Sequence, residues 1–367
     1  MAELAMSCAE GQVCPRAATD RLAASAKRPY RQHVGGCRVR PAASYALSPL
    51  MRYYQVFGGA LRSDIDFPEL RTIESDASSW TLRSAALVPD MISATLLGEA
   101  EVIPGCQVRL FRHDAGFRLV FDDTGSFDIT NRGRDIVWST GPAFEDSWVR
   151  ADVTGRVLAV AMHASGHLCL HGSAVATGGG AIAFLAPKFH GKSTLALALT
   201  RAGAKLLTDD VLPVYPHTPV QAVPGVHQVK LWQDSATHFG VDRETPRPGS
   251  KHLLHDFDDN MLSNDRTPLA AVYLLSPVIV EEGAAAPAVA RTRMHAVPSA
   301  LALVRHSIMG SMLSGAEAQL VIDRATTIAE AVPVYQLTVA AGMERIGDTV
   351  DQLLAWHGGV AVIGARA

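Results

Sequence analysis

The sequence predicts an α/β protein in which a phosphate-binding strand–loop–helix core follows a smaller β-rich domain, and three observations predict it. Residues Ala186-Pro187-Lys188-Phe189-His190-Gly191-Lys192-Ser193 fit the pattern A-or-G, four residues, G-K-[ST], between an apolar run and an Ala/Leu-rich segment. From Leu168 onward, strand-like and helix-like runs alternate, which is the α/β pattern. Ahead of that, Phe117–Phe121, Ser126–Thr130 and Asp135–Trp138 are separated only by Asp122-Asp123-Thr124-Gly125 and Asn131-Arg132-Gly133, the rhythm of an antiparallel meander.

Composition narrows the function classes. At 367 residues, with 48% hydrophobic and 19% charged, the chain can bury a real core, which excludes disordered and collagen-like classes. A net charge of −3, from 33 basic and 36 acidic residues, provides no broad basic field and argues against a nucleic-acid partner. Cys8, Cys14, Cys37, Cys106 and Cys169 form no C-x-x-C pair and no zinc spacing, which fits a reducing cytoplasm. The apolar stretches, such as Val157–Met162, fall far short of the ~20 residues needed to cross a bilayer, so no membrane partner is expected.

Three segments are expected along the chain. Residues 1–45 read as a disordered basic arm, with Arg16, Arg21, Lys27, Arg28, Arg31, Arg38 and Arg40 and no apolar signal core; Met51 is a candidate downstream start. Residues 46–150 read as the β-rich domain, with a first strand over Arg52–Ala60. Residues 151–360 read as the phosphate-binding domain. It opens with a helix over Val153–Ser165 and continues with strands at Cys169–Thr177 and Ala181–Ala186. A helix over Lys192–Ala202 and a short strand, Lys205–Leu207, follow. Leu269–Ser276 and Val334–Val339 are further strands, Ser299–Ser314 and Arg345–Trp356 further helices, and Thr245–Asn264 a mobile surface loop.

The loop Ala186–Ser193 carries the chemistry. In a P-loop, backbone N–H groups turn toward a phosphate at the N-terminus of the next helix, where orphan donors and the helix dipole favour negative charge. Lys192 then adds a point charge for the β- and γ-phosphates, and the Ser193 hydroxyl ligates Mg²⁺. A chance match would instead leave Lys192 on a surface loop and Ser193 as an N-cap. Lys188-Phe189-His190 is bulkier than the usual Gly-rich interior, so left-handed backbone there is strained. Lys188 can bring a second cation to the nucleotide.

Asp209-Asp210 closes the next strand, 17 residues beyond Lys192, where a carboxylate reaches Mg²⁺ or an incoming hydroxyl. Adjacent strand residues point to opposite faces. Either one carboxylate faces the site and the other faces loops, or a local twist brings both in. His171, 21 residues before Lys192, lies on the neighbouring strand, where it can orient a carboxylate or touch a phosphate. Lys230 and Asp234, flanking Trp232, are further residues that could face the site.

With these residues in place, the chain resembles the HPr kinase/phosphorylase superfamily, in particular the shorter HPr-kinase-like serine kinases of lasso peptide and other ribosomal peptide biosynthesis clusters. The resemblance rests on His171-Gly172-Ser173-Ala174-Val175, on Ala186–Ser193 with Thr194-Leu195-Ala196, and on Leu206-Leu207-Thr208-Asp209-Asp210-Val211. Weaker support comes from Val223-Pro224-Gly225, Val229–Asp234, Pro268–Leu275 and Tyr53–Leu70. It implies an α/β P-loop kinase core of the HPr kinase/PEP carboxykinase-like type. It also implies ATP held by Ala186–Thr194, Mg²⁺ at Ser193 with Asp209 or Asp210, and Asp209 as proton acceptor, with His171, Asp210 and Lys192 beside it. The acceptor would be a peptide serine, at the C-terminus of a lasso precursor, and the enzyme a homo-oligomer. Thr194 stands where the bifunctional members carry an acidic residue, and a later Gly- and Arg-containing signature is missing. Both departures count against phosphorolysis, and the absence of HPr-binding elements counts against HPr as acceptor.

Two other readings keep the same residues. A P-loop NTPase would use water as acceptor, and a nucleotide-sensing module would need no base at Asp209. The cluster His252, His255, Asp256, Asp258 and Asp259 imitates a metal set but reads as a solvated loop, over which Lys251 or Arg266 could close on a triphosphate.

Overall fold

A computed structural model describes residues 51–85, 93–142, 144–241, 251–279 and 288–358. The arm expected over 1–45 lies outside the described residues.

The first sheet contains β1 (Arg52–Val56), β2 (Gly59–Ser63), β3 (Trp80–Ala85), β4 (Thr95–Ile103), β5 (Cys106–His113), β6 (Gly116–Phe121), β7 (Gly125–Thr130) and β8 (Asp135–Thr140). Its order is β1-β2-β3-β8-β7-β6-β5-β4, antiparallel except for the parallel pairings of β3 with β2 and β8. The strand expected over Arg52–Ala60 is two strands. Phe57 (φ 48°) and Gly58 (φ 64°) are both left-handed, the conformation of a two-residue hairpin turn. The alternation of buried and less buried positions in β5 sends Val108 and Leu110 into a core with Phe117, Leu119, Phe127 and Ile129.

The helix expected from Val153 begins earlier. It runs as α1 (Asp146–Asp152), a π-helical turn over Val153–Val157 and α2 (Leu158–Ala164). Leu158, Ala159, Val160, Ala161 and Met162 are all buried, as in a helix covered on every side. Small residues allow this. A Cβ on Gly133 (φ 91°) would lie 2.0 Å from the Ala161 carbonyl oxygen, so the chain crosses α2 there only as glycine. One continuous core joins the first sheet to α1, α2, Cys169 and Val211, and the described residues form one compact unit.

The rest of the chain is β9 (Leu168–Thr177), β10 (Gly180–Leu185), α3 (Lys192–Arg201), β11 (Lys205–Thr208), β12 (Val211–Tyr215), β13 (Gln221–Ala222), β14 (Val229–Leu231), α4 (Gln233–His238), β15 (His252–Leu254), β16 (Thr267–Val278), β17 (Ala290–Arg293), α5 (Ala296–Arg305), α6 (Gly315–Ala331), β18 (Val334–Ala340) and α7 (Ile346–Trp356). The second sheet runs β10-β9-β12-β13-β16-β18-β17. Because β10 also pairs in parallel with β16, part of this path closes on itself. The overall class is therefore mixed α/β, built on two large mixed sheets.

Two further expectations are corrected. The helix over Ser299–Ser314 stops at Arg305, because the following backbone turns to β9: His306 C=O accepts from His171 N–H at 2.7 Å, and Ile308 N–H donates to Cys169 C=O at 2.9 Å. The described part of the loop Thr245–Asn264 contains β15, which pairs with β14. No helix among the described residues is long and apolar enough to cross a membrane.

Candidate functional site

β10 is buried along Ala181–Leu185, and the chain leaves it through Ala186–Gly191 into α3. Phe189 (φ 69°) and Gly191 (φ 82°) are left-handed, which folds the loop into a concave turn. The first helical bond after the loop is Leu195 N–H to Gly191 C=O, 2.8 Å, so the N–H groups of Lys192, Ser193 and Thr194 precede the ladder. Lys192 is only 8% exposed, and its ammonium donates to the carbonyls of Ala186 (2.8 Å) and Pro187 (3.2 Å). It thus spans the loop with a donor left for an anion. Burial pulls the Lys192 ammonium below its usual value, against the attraction of Asp209.

β11 and β12 both pair with β9, and Asp209-Asp210 is the break between them. A bulge between Leu206 and Thr208 and the left-handed backbone of Asp210 (φ 75°) interrupt the ladder there. Thr208 Oγ1 donates to Val211 C=O at 2.6 Å, and Gly225 packs so closely that a Cβ on it would lie 1.8 Å from Thr208 Oγ1. Of the two arrangements open to adjacent aspartates, the twist that brings both in is the one found.

Asp209 is 3% exposed and fully engaged. Its Oδ1 accepts from Ser173 Oγ (2.5 Å) and Ser193 Oγ (2.9 Å), and its Oδ2 from Lys230 N–H (3.1 Å). Burial, then repulsion from Asp210, pushes its carboxyl above the ordinary range, with the three hydrogen bonds opposing. Asp210 goes the other way. Burial acts upward on it, but the Lys230 ammonium, 2.7 Å from Oδ2, together with His171 and Lys251, holds it down at about 2. Lys230 therefore grips both acids, one through its backbone and one through its side chain.

His171 Nδ1–H donates to Asp210 C=O at 3.2 Å and lies 3.8 Å from Asp210 Oδ1. Burial lowers its pKa, against the attraction of Asp210. Of the other loop residues, Pro187, Lys188 and Phe189 are exposed, and His190 Nδ1–H donates to Lys188 C=O. Phe189 turns its ring onto Trp232. Thr194 Oγ1 lies 3.0 Å from Ser235 Oγ, an interaction with α4. Lys192, Ser193, Asp209, Asp210 and His171 thus form one group.

Beside the two acids is a cavity of about 20 Å³, lined by Asp209, Asp210, Val211, Lys230, Gln228, Val226, Thr154, Gly155 and Phe57. That is room for about one water-sized group. Two of its walls come from distant segments: the π-helical turn and the β1–β2 hairpin. A Cβ built on Gly155 meets no atom within 4 Å.

Ser193 and Asp209 are hard oxygen donors meeting at the first turn of α3. Mg²⁺ takes one or two such protein ligands and fills its other positions with water and phosphate oxygens, so these residues fit it. Among the described residues no three His, Cys, Asp or Glu converge as a metal set. The residues of the His/Asp-rich loop disperse: His252 Nε2 meets Gln233 Oε1, His255 meets Asp256, and Asp259 meets Arg71. Arg266 lies over the Tyr215 ring and Lys251 over Trp232.

No protein-family model matches the chain. No curated protein matches it either. Among solved structures, it is similar to the Hpr(Ser) kinase/phosphatase from Coxiella burnetii, with 11% identity over 52% of this chain and 89% of that chain. The TM-score is 0.26, too low for that likeness to carry an argument about fold or function. The reading of the site therefore rests on its own side chains.

Sequence reasoning did not single out Ser173, Thr154, Gly155, Phe57 or Gln228 as site residues. Ser173 was within reach: it is two residues from His171 on one strand, hence on the same face. The others carry no local signal.

Proposed function

We propose that this protein is an ATP- and Mg²⁺-dependent kinase that phosphorylates a serine hydroxyl. The observation that carries the reading is the joining of phosphate cradle and acid pair through the Ser193–Asp209 hydrogen bond, with Lys192 across the loop. Phosphoryl transfer needs positioning and charge neutralisation more than covalent chemistry, and this group of residues offers both.

In this reading the cradle Ala186–Thr194 binds the triphosphate and Lys192 orients its terminal phosphates. Ser193 and Asp209 would hold Mg²⁺, which would supply neutralising charge for the phosphates. The acceptor hydroxyl enters the cavity between Asp209 and Gly155, and Asp209 takes its proton. Its raised pKa suits that task, since a more basic carboxylate is a stronger proton acceptor. Asp210, held by Lys230 and His171, stays ionised and keeps Asp209 basic by repulsion.

The acceptor class is drawn from the sequence resemblance: a peptide, with the C-terminal serine of a lasso precursor as the leading candidate. The first sheet offers a place for an extended peptide by strand addition at β4, one of its two terminal strands; the outer edge of β1 is taken, since Gln55 N–H donates to Arg71 C=O and Ile73 N–H to Tyr53 C=O. A reducing cytoplasm and a homo-oligomer belong to the same reading.

The test is incubation with γ-labelled ATP and Ser-terminated peptides, read by mass spectrometry for a phosphate gain. Peptide labelling lost in Asp209→Asn supports the kinase. Release of free phosphate with no peptide labelled would favour an NTPase.

A further inference from the structure

Phe189 is the most exposed aromatic side chain among the described residues, at 75%, and it sits inside the phosphate cradle. Its backbone is left-handed (φ 69°), a conformation that bulky L-residues rarely adopt. Neither feature helps folding: the strain is unfavourable, and an exposed ring gains no burial energy to offset it. The ring nonetheless has a partner. It stacks on Trp232 with centroids 4.9 Å apart and planes 20° from parallel. Trp232 is half-buried at the start of α4, and the Lys251 ammonium lies 5.5 Å from its ring centroid. Lys251 also acts electrostatically on Lys192 and Asp210, which places it at the rim of the same cradle.

A stack at 4.9 Å leaves no gap for a third ring between the two, so a flat ligand would lie on the outer face of Phe189. The ligand held by the adjacent loop is a nucleoside triphosphate, whose base hangs beyond the phosphates. We infer that the Phe189–Trp232 pair is the nucleobase platform: the base stacks on Phe189, Trp232 backs the ring, and Lys251 keeps Trp232 in place from the rim. This assignment rests on the nucleotide-binding reading given above. It gives the loop's bulk and strain a purpose, since a glycine at this position would relax the backbone but leave nothing to stack on.

The test compares Mg·ATP with Mg·tripolyphosphate, which shares the phosphates and lacks base and ribose, by equilibrium titration of the full chain. Phe189→Leu, Trp232→Leu and Phe189→Tyr are measured beside the wild type, each checked for folding by circular dichroism. The wild type is expected to prefer ATP over tripolyphosphate by about tenfold or more, the size of one base–aromatic stack. Both Leu variants should lose most of that preference while keeping their tripolyphosphate affinity, and the Tyr variant should retain it. A preference that persists in both Leu variants, or is absent from the wild type, overturns the platform. If the wild type binds neither compound, the phosphate cradle itself is overturned, and the platform with it.

Discussion

The Ser193 hydroxyl donates to Asp209 Oδ1 at 2.9 Å, tying the first turn of the loop helix to the break between β11 and β12. The two residues are 16 positions apart and lie on separate elements, α3 and the β11–β12 turn. Their contact joins the loop Ala186–Ser193 to the acidic turn, the arrangement on which the proposed kinase activity rests. Asp209 is consequently the residue whose loss should separate binding from transfer.

Asp209→Asn keeps the size of the side chain and the acceptor for Ser193, but cannot take a proton. Peptide phosphorylation should fall by about 10²–10⁴-fold, the usual worth of a positioned base. ATP affinity, titrated in parallel, should change only a few-fold.

Gly155 separates the proposed acceptor role of the cavity from fold stability. Space is open around a Cβ there, and alanine favours helix over glycine by about 1 kcal/mol, so Gly155→Ala should raise the melting temperature slightly. Gly155→Leu should fill the cavity beside Asp209 and Asp210. Its KM for the peptide should rise by about tenfold or more, the loss expected when a close-fitting pocket is filled, with ATP binding unchanged. Equal losses in ATP and peptide binding would count against the cavity as the acceptor's place.

Asp152 predicts how stability depends on pH. Burial pushes its carboxyl up to about 6; the hydroxyl of Thr124 opposes this, Asp123 adds to it and Arg156 opposes it. In the unfolded chain an aspartate titrates near 3.9. The folded state therefore holds the proton more tightly, and stability falls as pH rises from about 4 to about 6. Asp152→Asn removes this penalty. It should raise unfolding stability near neutral pH by about 3 kcal/mol and leave it unchanged below about pH 4, as read from urea midpoints at the two pH values.

Arg118 and Asp128 form a buried ion pair across β6 and β7, with Nε–Oδ1 at 2.5 Å and Nη2–Oδ2 at 2.7 Å. Arg118→Met leaves the carboxylate buried with His113, at 3.9 Å, as its remaining ion-pair partner among the described residues, and should cost about 3–5 kcal/mol in a chemical unfolding curve. Arg118→Met combined with Asp128→Leu should recover most of that loss, because the uncompensated charge is gone.

The strand–loop–helix around Lys192 was legible because its signal is local: an apolar strand, a patterned loop and an Ala/Leu-rich helix, all within about two dozen residues. The meander β6–β7–β8 was legible for the same reason, since its turns are written in Asp, Asn and Gly. The break at Phe57-Gly58 was less so, because a phenylalanine in left-handed backbone is not a turn signal. The early end of α5 was hidden because β9, more than a hundred residues earlier, takes over the backbone hydrogen bonds.

By itself, the sequence determined the residue types of the site: the loop, its lysine and serine, the paired aspartates and the histidine one strand away. Only the tertiary structure decided that both aspartates face inward, that Lys230 holds them, and that the π-helical turn and the first hairpin close the cavity beside them. The reason is physical. Backbone propensity and side-chain period act over a few residues, whereas the direction of Asp210, the burial of Asp209 and the approach of Gly155 are set by β9, β14 and α2, and by contacts that close only when the two sheets share one core.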